Sequence, residues 1–251
     1  MIREALKRIP LARRTYHYLR TNLLAVGLLR WEPLVPEAAF EDCVSAALGR
    51  LLAGESVEEL GDYLEFGVSR GTSLACVHAV LRRLGLDQVR LIGFDSFEGM
   101  PADAAAEGWA KGLYHSTINA TRRYLRSREV DMTRVSLVKG WFDDTLTQET
   151  RHRQNIGKAS LIMIDSDTYG ASKAALNFAA LHIQKQAVIM FDDWGWRSEV
   201  GEIGQQEAFE EFLSEHQDLT AEPLETYLPQ ARVFLMRRSA PPTGEASARA
   251  L

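Results

Sequence analysis

Two stretches of the chain end in paired aspartates. Residues 161–170 read LIMIDSDTYG and residues 187–196 read AVIMFDDWGW, which gives Asp165 and Asp167 in one and Asp192 and Asp193 in the other. Short apolar runs with β-branched members read as buried strands, and the helical pattern ASKAALNFAALHI between them makes the two strands parallel neighbours. Parallel strands end on one edge of their sheet, which is where ligands of open α/β sheets sit. Four carboxylates gathered there repel one another unless a cation lies between them. An all-oxygen ligand set suits Mg²⁺ or another hard divalent ion. If the first strand stays extended to its end, Asp165 and Asp167 point the same way and stand about 6–7 Å apart along the backbone. One is then free to bind an ion and the other to face a reacting hydroxyl. The alternatives are local: Asp167 as N-cap of a helix beginning near Thr168, and Asp192-Asp193 as turn residues.

A second group of residues lies earlier. Glu65-Phe66-Gly67-Val68-Ser69-Arg70-Gly71-Thr72-Ser73 follows an apolar run and opens a helix. Glycines at such a turn let the backbone approach a ligand, and the helix start favours an anionic group. The full G-x-G-x-x-G pattern is absent, so a plain tight turn is the competing reading. Asp95 ends the next apolar run, where an acid can accept hydrogen bonds from ribose hydroxyls or bond its own backbone. Asp143 and Asp144 read as a loop contact or as a cap for a helix at Thr145. Trp141 and Phe142 are placed to flank a ligand ring or to pack. His115 lies in a long connection and is a candidate for substrate contact or general base. Trp194 and Trp196 are candidates for stacking on a sugar or phenolic ring, or for packing beneath a lid.

The elements that position these residues follow from periodicity. Strands are expected over 62–67, 89–95, 135–140, 160–165 and 187–192. An antiparallel pair, TAEPLE and 231–238, closes the sheet. Helices alternate with the strands, including one from Pro36 to Gly54 with proline at its start and glycine at its end. The connection from Ser96 to Arg128 is too long for a plain turn, and its part from Pro101 to Tyr114 reads as a lid over the ligand edge. With 251 residues, one α/β domain with a substantial core is expected. The division is an N-terminal helical extension over 1–58, the main domain over 59–238, and a disordered tail over 239–251. A net charge of −5 argues against a nucleic-acid partner. No apolar run approaches the roughly 18 residues of a membrane span. Cys43 and Cys76, without a secretory signal, read as reduced, buried thiols of a cytoplasmic protein. Residues 1–30 carry seven Lys or Arg against the single acid Glu4, a basic helical pattern that packs over the domain or on a second subunit, or meets a membrane surface or acidic partner.

Taken together, Glu65 to Ser73, GFDSFEGMP (93–101), KGWFDDTL (139–146), IDSDTYGASKAAL (164–176) and FDDWGW (191–196) resemble the macrocin O-methyltransferase family, whose members methylate sugar hydroxyls on natural products. The likeness runs from about residue 60 to 215. It implies a Rossmann-like class I methyltransferase fold with a mostly parallel seven-stranded sheet and helices on both faces. It also implies S-adenosylmethionine as donor and Mg²⁺ held by carboxylates. Carried onto this chain, Asp167, Asp192 and Asp193 match the metal ligands and Asp165 the general base. Glu65, Gly67, Ser73, Asp95 and Ser96 match the residues that hold the methionine and ribose parts of the donor, with Gly140, Trp141 and Asp165 also at that pocket. Ser166 departs from the family pattern, where small or apolar residues are commoner, and residues before 60 do not align. Two other readings stay open: a glycosyltransferase using Asp165-Ser166-Asp167 to hold a nucleotide-sugar through a metal, and a methyltransferase-like binding module without activity.

Overall fold

The computed structural model describes residues 19–196, apart from 21 and 34, and residues 203–239. The basic residues up to Arg14 and the tail from 240 onward lie outside the described residues. Helix α1 (Glu37–Leu52) precedes a βα alternation: β1 (Asp62–Phe66), α2 (Thr72–Arg83), β2 (Leu91–Asp95), α3 (Ile118–Ser127) and β3 (Val135–Lys139). The short α4 (Phe142–Thr145) and α5 (Gln148–Arg153) lead to β4 (Ala159–Ile164), α6 (Tyr169–Ala180), β5 (Gln186–Phe191) and α7 (Gln205–Glu215). The strands β6 (Leu219–Leu224) and β7 (Arg232–Arg238) come last. The seven strands lie in the order β3-β2-β1-β4-β5-β7-β6, with β7 antiparallel to both its neighbours and the other pairings parallel.

Strands β1, β4 and β5 are buried along their whole length, which is why they read as near-continuous apolar runs. Their side chains alternate between two cores. Tyr63, Leu161, Met163, Val188 and Met190 meet Phe40, Leu48, Leu74 and Leu81 on one face. Leu64, Phe66, Ile162, Ile164, Ile189 and Phe191 meet Leu176, Phe178, Phe209 and Phe212 on the other. Thus α1 to α3 cover one face and α6 and α7 the other. Helix α1 belongs to the core itself: Phe40, Val44, Leu48 and Leu51 are buried in it. Pro223 sits in β6, an edge strand where its missing N–H costs no ladder bond.

Chain order reverses between β1 and β4, so the turns that leave them diverge and open a crevice. β4 stops at Ile164 and β5 at Phe191, one residue earlier than the sequence pattern suggests. Asp165 and Asp192 are therefore the first residues of the turns. Both cysteines are free, Cys43 half-buried and Cys76 buried, and burial pushes their thiols up to about 11 and about 12. No described helix is long and apolar enough to cross a membrane.

Candidate active site

The glycine turn is held by two acids. Glu65 on β1 is fully buried. Its Oε2 accepts from the Tyr63 hydroxyl at 2.7 Å and its Oε1 from Ser73 Oγ at 2.6 Å. Burial pushes the Glu65 carboxyl up to about 7 against the opposing pull of the two hydroxyls. Asp95, at the end of β2, accepts the amides of Val68 and Ser69 on Oδ2, each at 2.8 Å, and the amide of Phe97 on Oδ1 at 2.5 Å. It is thus both a turn aspartate bonded two residues ahead and a tie to the glycine turn. A carboxylate offers about four acceptor positions, so one on Oδ1 stays open to a ligand. Burial raises the Asp95 carboxyl above its usual range despite these amides.

Gly67 has a second reason to be glycine. It adopts φ 94°, and a Cβ there would lie 1.7 Å from the Asp165 carbonyl oxygen. The turns after β1 and β4 touch at this point.

The carboxylates come next. The Asp165 amide continues the ladder onto Phe66 O at 2.9 Å. The chain does not stay extended to Asp167, as the pleat argument requires: Asp167 is left-handed, with φ 59°. Aspartate tolerates that conformation, and the turn brings its carboxylate back beside Asp165. Thr168, not Asp167, caps α6, its Oγ1 accepting the Ala171 amide at 3.3 Å. Oxygens of Asp165, Asp167 and Asp193 lie within 4.8 Å of one another. Asp193 is fixed by its amide on Gln205 Oε1 at 3.0 Å. Asp192 stands slightly apart, its Oδ1 accepting the Tyr227 hydroxyl at 2.6 Å.

Burial, then mutual repulsion, pushes Asp165 and Asp193 well above the usual carboxylate range and Asp167 up to about 7. Burial also raises Asp192, against the Tyr227 hydrogen bond. No basic side chain among the described residues relieves this charge, and Asp193 Oδ2 is buried without a hydrogen-bond partner. A divalent ion fits these facts. Mg²⁺ takes oxygens at about 2.0–2.1 Å, with neighbouring ligand oxygens about 3 Å apart, so the cluster closes inward to coordinate one.

A cleft of about 880 Å³ joins the two groups, toward the upper end of ligand-pocket sizes. Gly67, Ser73, Asp95, Ser96, Gly140, Trp141, Asp165, Asp167, Asp192 and Asp193 all line it. Glu65 lies behind Ser73. Ser96 Oγ accepts the Glu98 amide at 3.1 Å, and Gly140, at φ 149°, leads to Trp141.

His115 is half-buried and is not among the residues lining the cleft; the charge it can carry acts on Asp95. Its neighbour Tyr114 lines the cleft instead. The Tyr114 phenol is pushed up to about 12 by burial and by all four aspartates. Trp194 packs among Phe191, Phe209 and Phe234, and Trp196 packs on Trp109 at 4.5 Å between ring centres. Neither tryptophan lines the cleft. Helix α4 starts at Phe142 rather than Thr145, placing Asp143 and Asp144 in its first turn, where the helix dipole favours acids.

Four further residues contribute. The Glu107 carboxylate accepts the Tyr169 amide at 3.1 Å and latches the segment over the cleft to α6. Trp31 forms part of the wall, its indole N–H on Thr72 Oγ1 at 3.2 Å and its ring 4.8 Å from the Arg70 guanidinium. Tyr227 and Gln205 hold the aspartate pair from behind.

The macrocin O-methyltransferase (TylF) profile matches residues 44–226. The chain belongs to the macrocin O-methyltransferase family. A curated relative, the 8-demethyl-8-(2,3-dimethoxy-alpha-L-rhamnosyl)-tetracenomycin-C 4'-O-methyltransferase of Streptomyces olivaceus, is 28% identical over 144 residues, 53% of this chain and 53% of that protein. The chain thus spans about half the length of that relative. The fold is shared with the O-methyltransferase NovP, at a TM-score of 0.63 and 20% identity over 81% of this chain and 79% of that one. It is also shared with the calicheamicin methyltransferase CalS11, at a TM-score of 0.59 and 20% identity over 92% and 88%. An O-methyltransferase from Bacillus cereus, solved with S-adenosylhomocysteine (SAH), gives a TM-score of 0.57 at 14% identity over 94% and 96%. In this macrocin O-methyltransferase family protein, the matched stretch contains all four aspartates and the glycine turn but not Trp31, Val35 or Tyr227, which also stand at or behind the cleft.

Proposed function

We propose that this protein is an S-adenosylmethionine-dependent, Mg²⁺-assisted O-methyltransferase acting on a hydroxyl of a sugar or glycosylated metabolite. The observation that carries the reading is the meeting in one cleft of the Glu65–Asp95 glycine turn with three half-buried carboxylates, one of which has a buried oxygen without a partner. The relative from Streptomyces olivaceus is named for methylating a rhamnosyl compound, and CalS11 is described as a TDP-rhamnose 3'-O-methyltransferase. Both support a sugar acceptor.

S-adenosylmethionine, when bound, supplies a methyl group on a sulfonium that is already electrophilic. The cleft residues Asp95, Ser96, Gly140 and Trp141 would hold it, Asp95 through the open acceptor position on Oδ1, which suits a ribose hydroxyl, and Gly140 and Trp141 at the adenine end. Ser73, set by Glu65, faces the methionine end. A divalent ion in the aspartate cluster supplies positive charge that favours deprotonation of the acceptor. Asp167, Asp192 and Asp193 are the groups that would hold it. Asp165 takes the acceptor proton as general base, and the segment over the cleft excludes water. His115, set back from the cleft wall, is not needed for this scheme.

The test is mass spectrometry of candidate glycosides and nucleotide-sugars after incubation with S-adenosylmethionine and Mg²⁺, with EDTA as control. A mass gain of one methyl group that EDTA abolishes supports the proposal. Calorimetry showing no binding of SAH, or cleavage of a UDP-sugar with transfer of its sugar and no methylated product, overturns it.

A further inference from the structure

We infer that Gln205 is a positioning residue that sets the spacing of the carboxylates on the β4 and β5 turns and, through it, the affinity for the divalent ion. The inference rests on the metal reading of that cluster. The last paired residues of β4 and β5 are Ile164 and Phe191. Beyond them a single backbone bond, Asp192 N–H to Ile164 O at 3.2 Å, continues the ladder. The Gln205 side chain bridges the same gap. Its Oε1 accepts the Asp193 amide at 3.0 Å and its Nε2 donates to Ile164 O at 3.2 Å. Ile164 immediately precedes Asp165, so one amide ties the start of one carboxylate-bearing turn to the backbone of the other.

The geometry also fixes which way the amide points. One end meets an N–H and the other a carbonyl, so exchanging its oxygen and nitrogen would oppose donor to donor and acceptor to acceptor. Gln205 is the first residue of α7 and is 1% exposed. Its own backbone is anchored because Glu207 accepts the Gly204 amide at 2.8 Å. Filling this space next to Ala208 and Phe209 needs no polar group. Burying an amide has a desolvation cost that only its hydrogen bonds offset, so the bonds are what the glutamine contributes. The consequence reaches Asp167 as well, because its carboxylate oxygen lies within 4.8 Å of those of Asp165 and Asp193. The two carboxylate-bearing turns are thereby tied together through a single side chain. Groups that orient ligands in this way typically alter metal affinity about 10- to 100-fold when removed.

The experiment uses the full chain and MgCl₂ as probe. Gln205→Met keeps an unbranched side chain of similar length and removes the amide; Gln205→Ala removes both bonds and packing. Mg²⁺ binding is measured by isothermal titration calorimetry, beside SAH binding and the thermal midpoint without metal. Both variants are expected to raise the Mg²⁺ dissociation constant about 10- to 100-fold. SAH affinity should stay within about twofold of wild type, since Gln205 makes no bond to the β1 and β2 turns. Mg²⁺ affinity within about twofold of wild type in a folded Gln205→Met protein overturns the inference alone. If Gln205→Met does not fold, Gln205→Ala decides by the same criterion. A wild-type protein that does not bind Mg²⁺ overturns the metal reading and the inference with it.

Discussion

The Tyr227 hydroxyl donates to Oδ1 of Asp192 at 2.6 Å, which takes one of that carboxylate's about four acceptor positions and fixes its orientation. Tyr227 is buried, and its ring meets Phe40 of α1 edge-on at 4.8 Å. Tyr227→Phe keeps the ring and removes the donor. Hydrogen bonds to charged groups are worth about 1.5–3 kcal/mol. The variant should therefore fold and need about tenfold more Mg²⁺ for half-maximal activity. A Mg²⁺ titration of methyl transfer checks this; an unchanged requirement would remove Tyr227 from any role in setting Asp192.

The aspartates should separate by rescue. Asp167→Asn and Asp193→Asn weaken Mg²⁺ binding, and excess Mg²⁺ restores part of their activity. Asp165→Asn should keep metal and donor affinities near normal while turnover falls by about 10²- to 10⁴-fold, the usual loss for a general base. Calorimetry and single-turnover rates on the three variants decide. Equal rescue of Asp165→Asn would make Asp165 a ligand, and Tyr114, which lines the cleft, would then be the side chain to examine as base.

Glu65 gives a pH dependence with a definite sign. Its carboxyl rises from 4.5 to about 7 in the fold because it is buried. Between these values the folded protein keeps a proton that the unfolded chain has released. The donor-free protein therefore has the whole of this contribution below about pH 4.5 and loses it as pH rises to about 7, by about 3 kcal/mol. Glu65→Gln, which stays neutral, should show a correspondingly smaller fall in stability between about pH 5 and about pH 8. Urea unfolding of both proteins at the two pH values measures it. Parallel pH profiles would mean that Glu65 does not titrate in this window.

The segment 101–114 is held over the cleft by few bonds: Glu107 to the Tyr169 amide, Ser69 Oγ to Tyr114 O at 2.9 Å, and the Met100–Leu113 and Gly112–Met100 backbone pairs. Apart from Ala104 its residues are exposed or half-buried, so opening it exposes little apolar surface. SAH should slow its cleavage in limited proteolysis, and Glu107→Ala should speed cleavage in the free protein. Identical digestion patterns with and without SAH would count against closure over the ligand.

Much of this was legible in the sequence, for a physical reason. Fully buried parallel strands are apolar along their length, and Gly67, Asp95 and the aspartate pairs sit where strands give way to turns, so composition alone marks those places. The strand ends were read one residue late at Asp165 and Asp192, because an aspartate that takes one more ladder bond looks the same in sequence as the end of a strand. The left-handed turn at Asp167 left no mark, since no glycine was required there. Tyr227 and Gln205 act on aspartates 35 and 12 residues away, and such pairings exist only once β5, α7 and the connection from β6 to β7 have been packed together. His115 drew attention as a lone ionisable group in a long connection. Its neighbour Tyr114 lines the cleft because a left-handed residue, φ 59°, alters the course of the backbone at that position.

The antiparallel β7 lies between β5 and β6, yet the stretch shared with the family stops at residue 226. The stretch that the family profile matches is thus shorter than the unit of folding. A graft or minimal version cut at the boundaries of similarity would remove the strand that joins β6 to the sheet. It would also remove Phe40 and Tyr227, the ring pair behind Asp192. Chimeras meant to exchange acceptor preference between relatives should therefore take their crossover points from the sheet: one before α1 and one after β7.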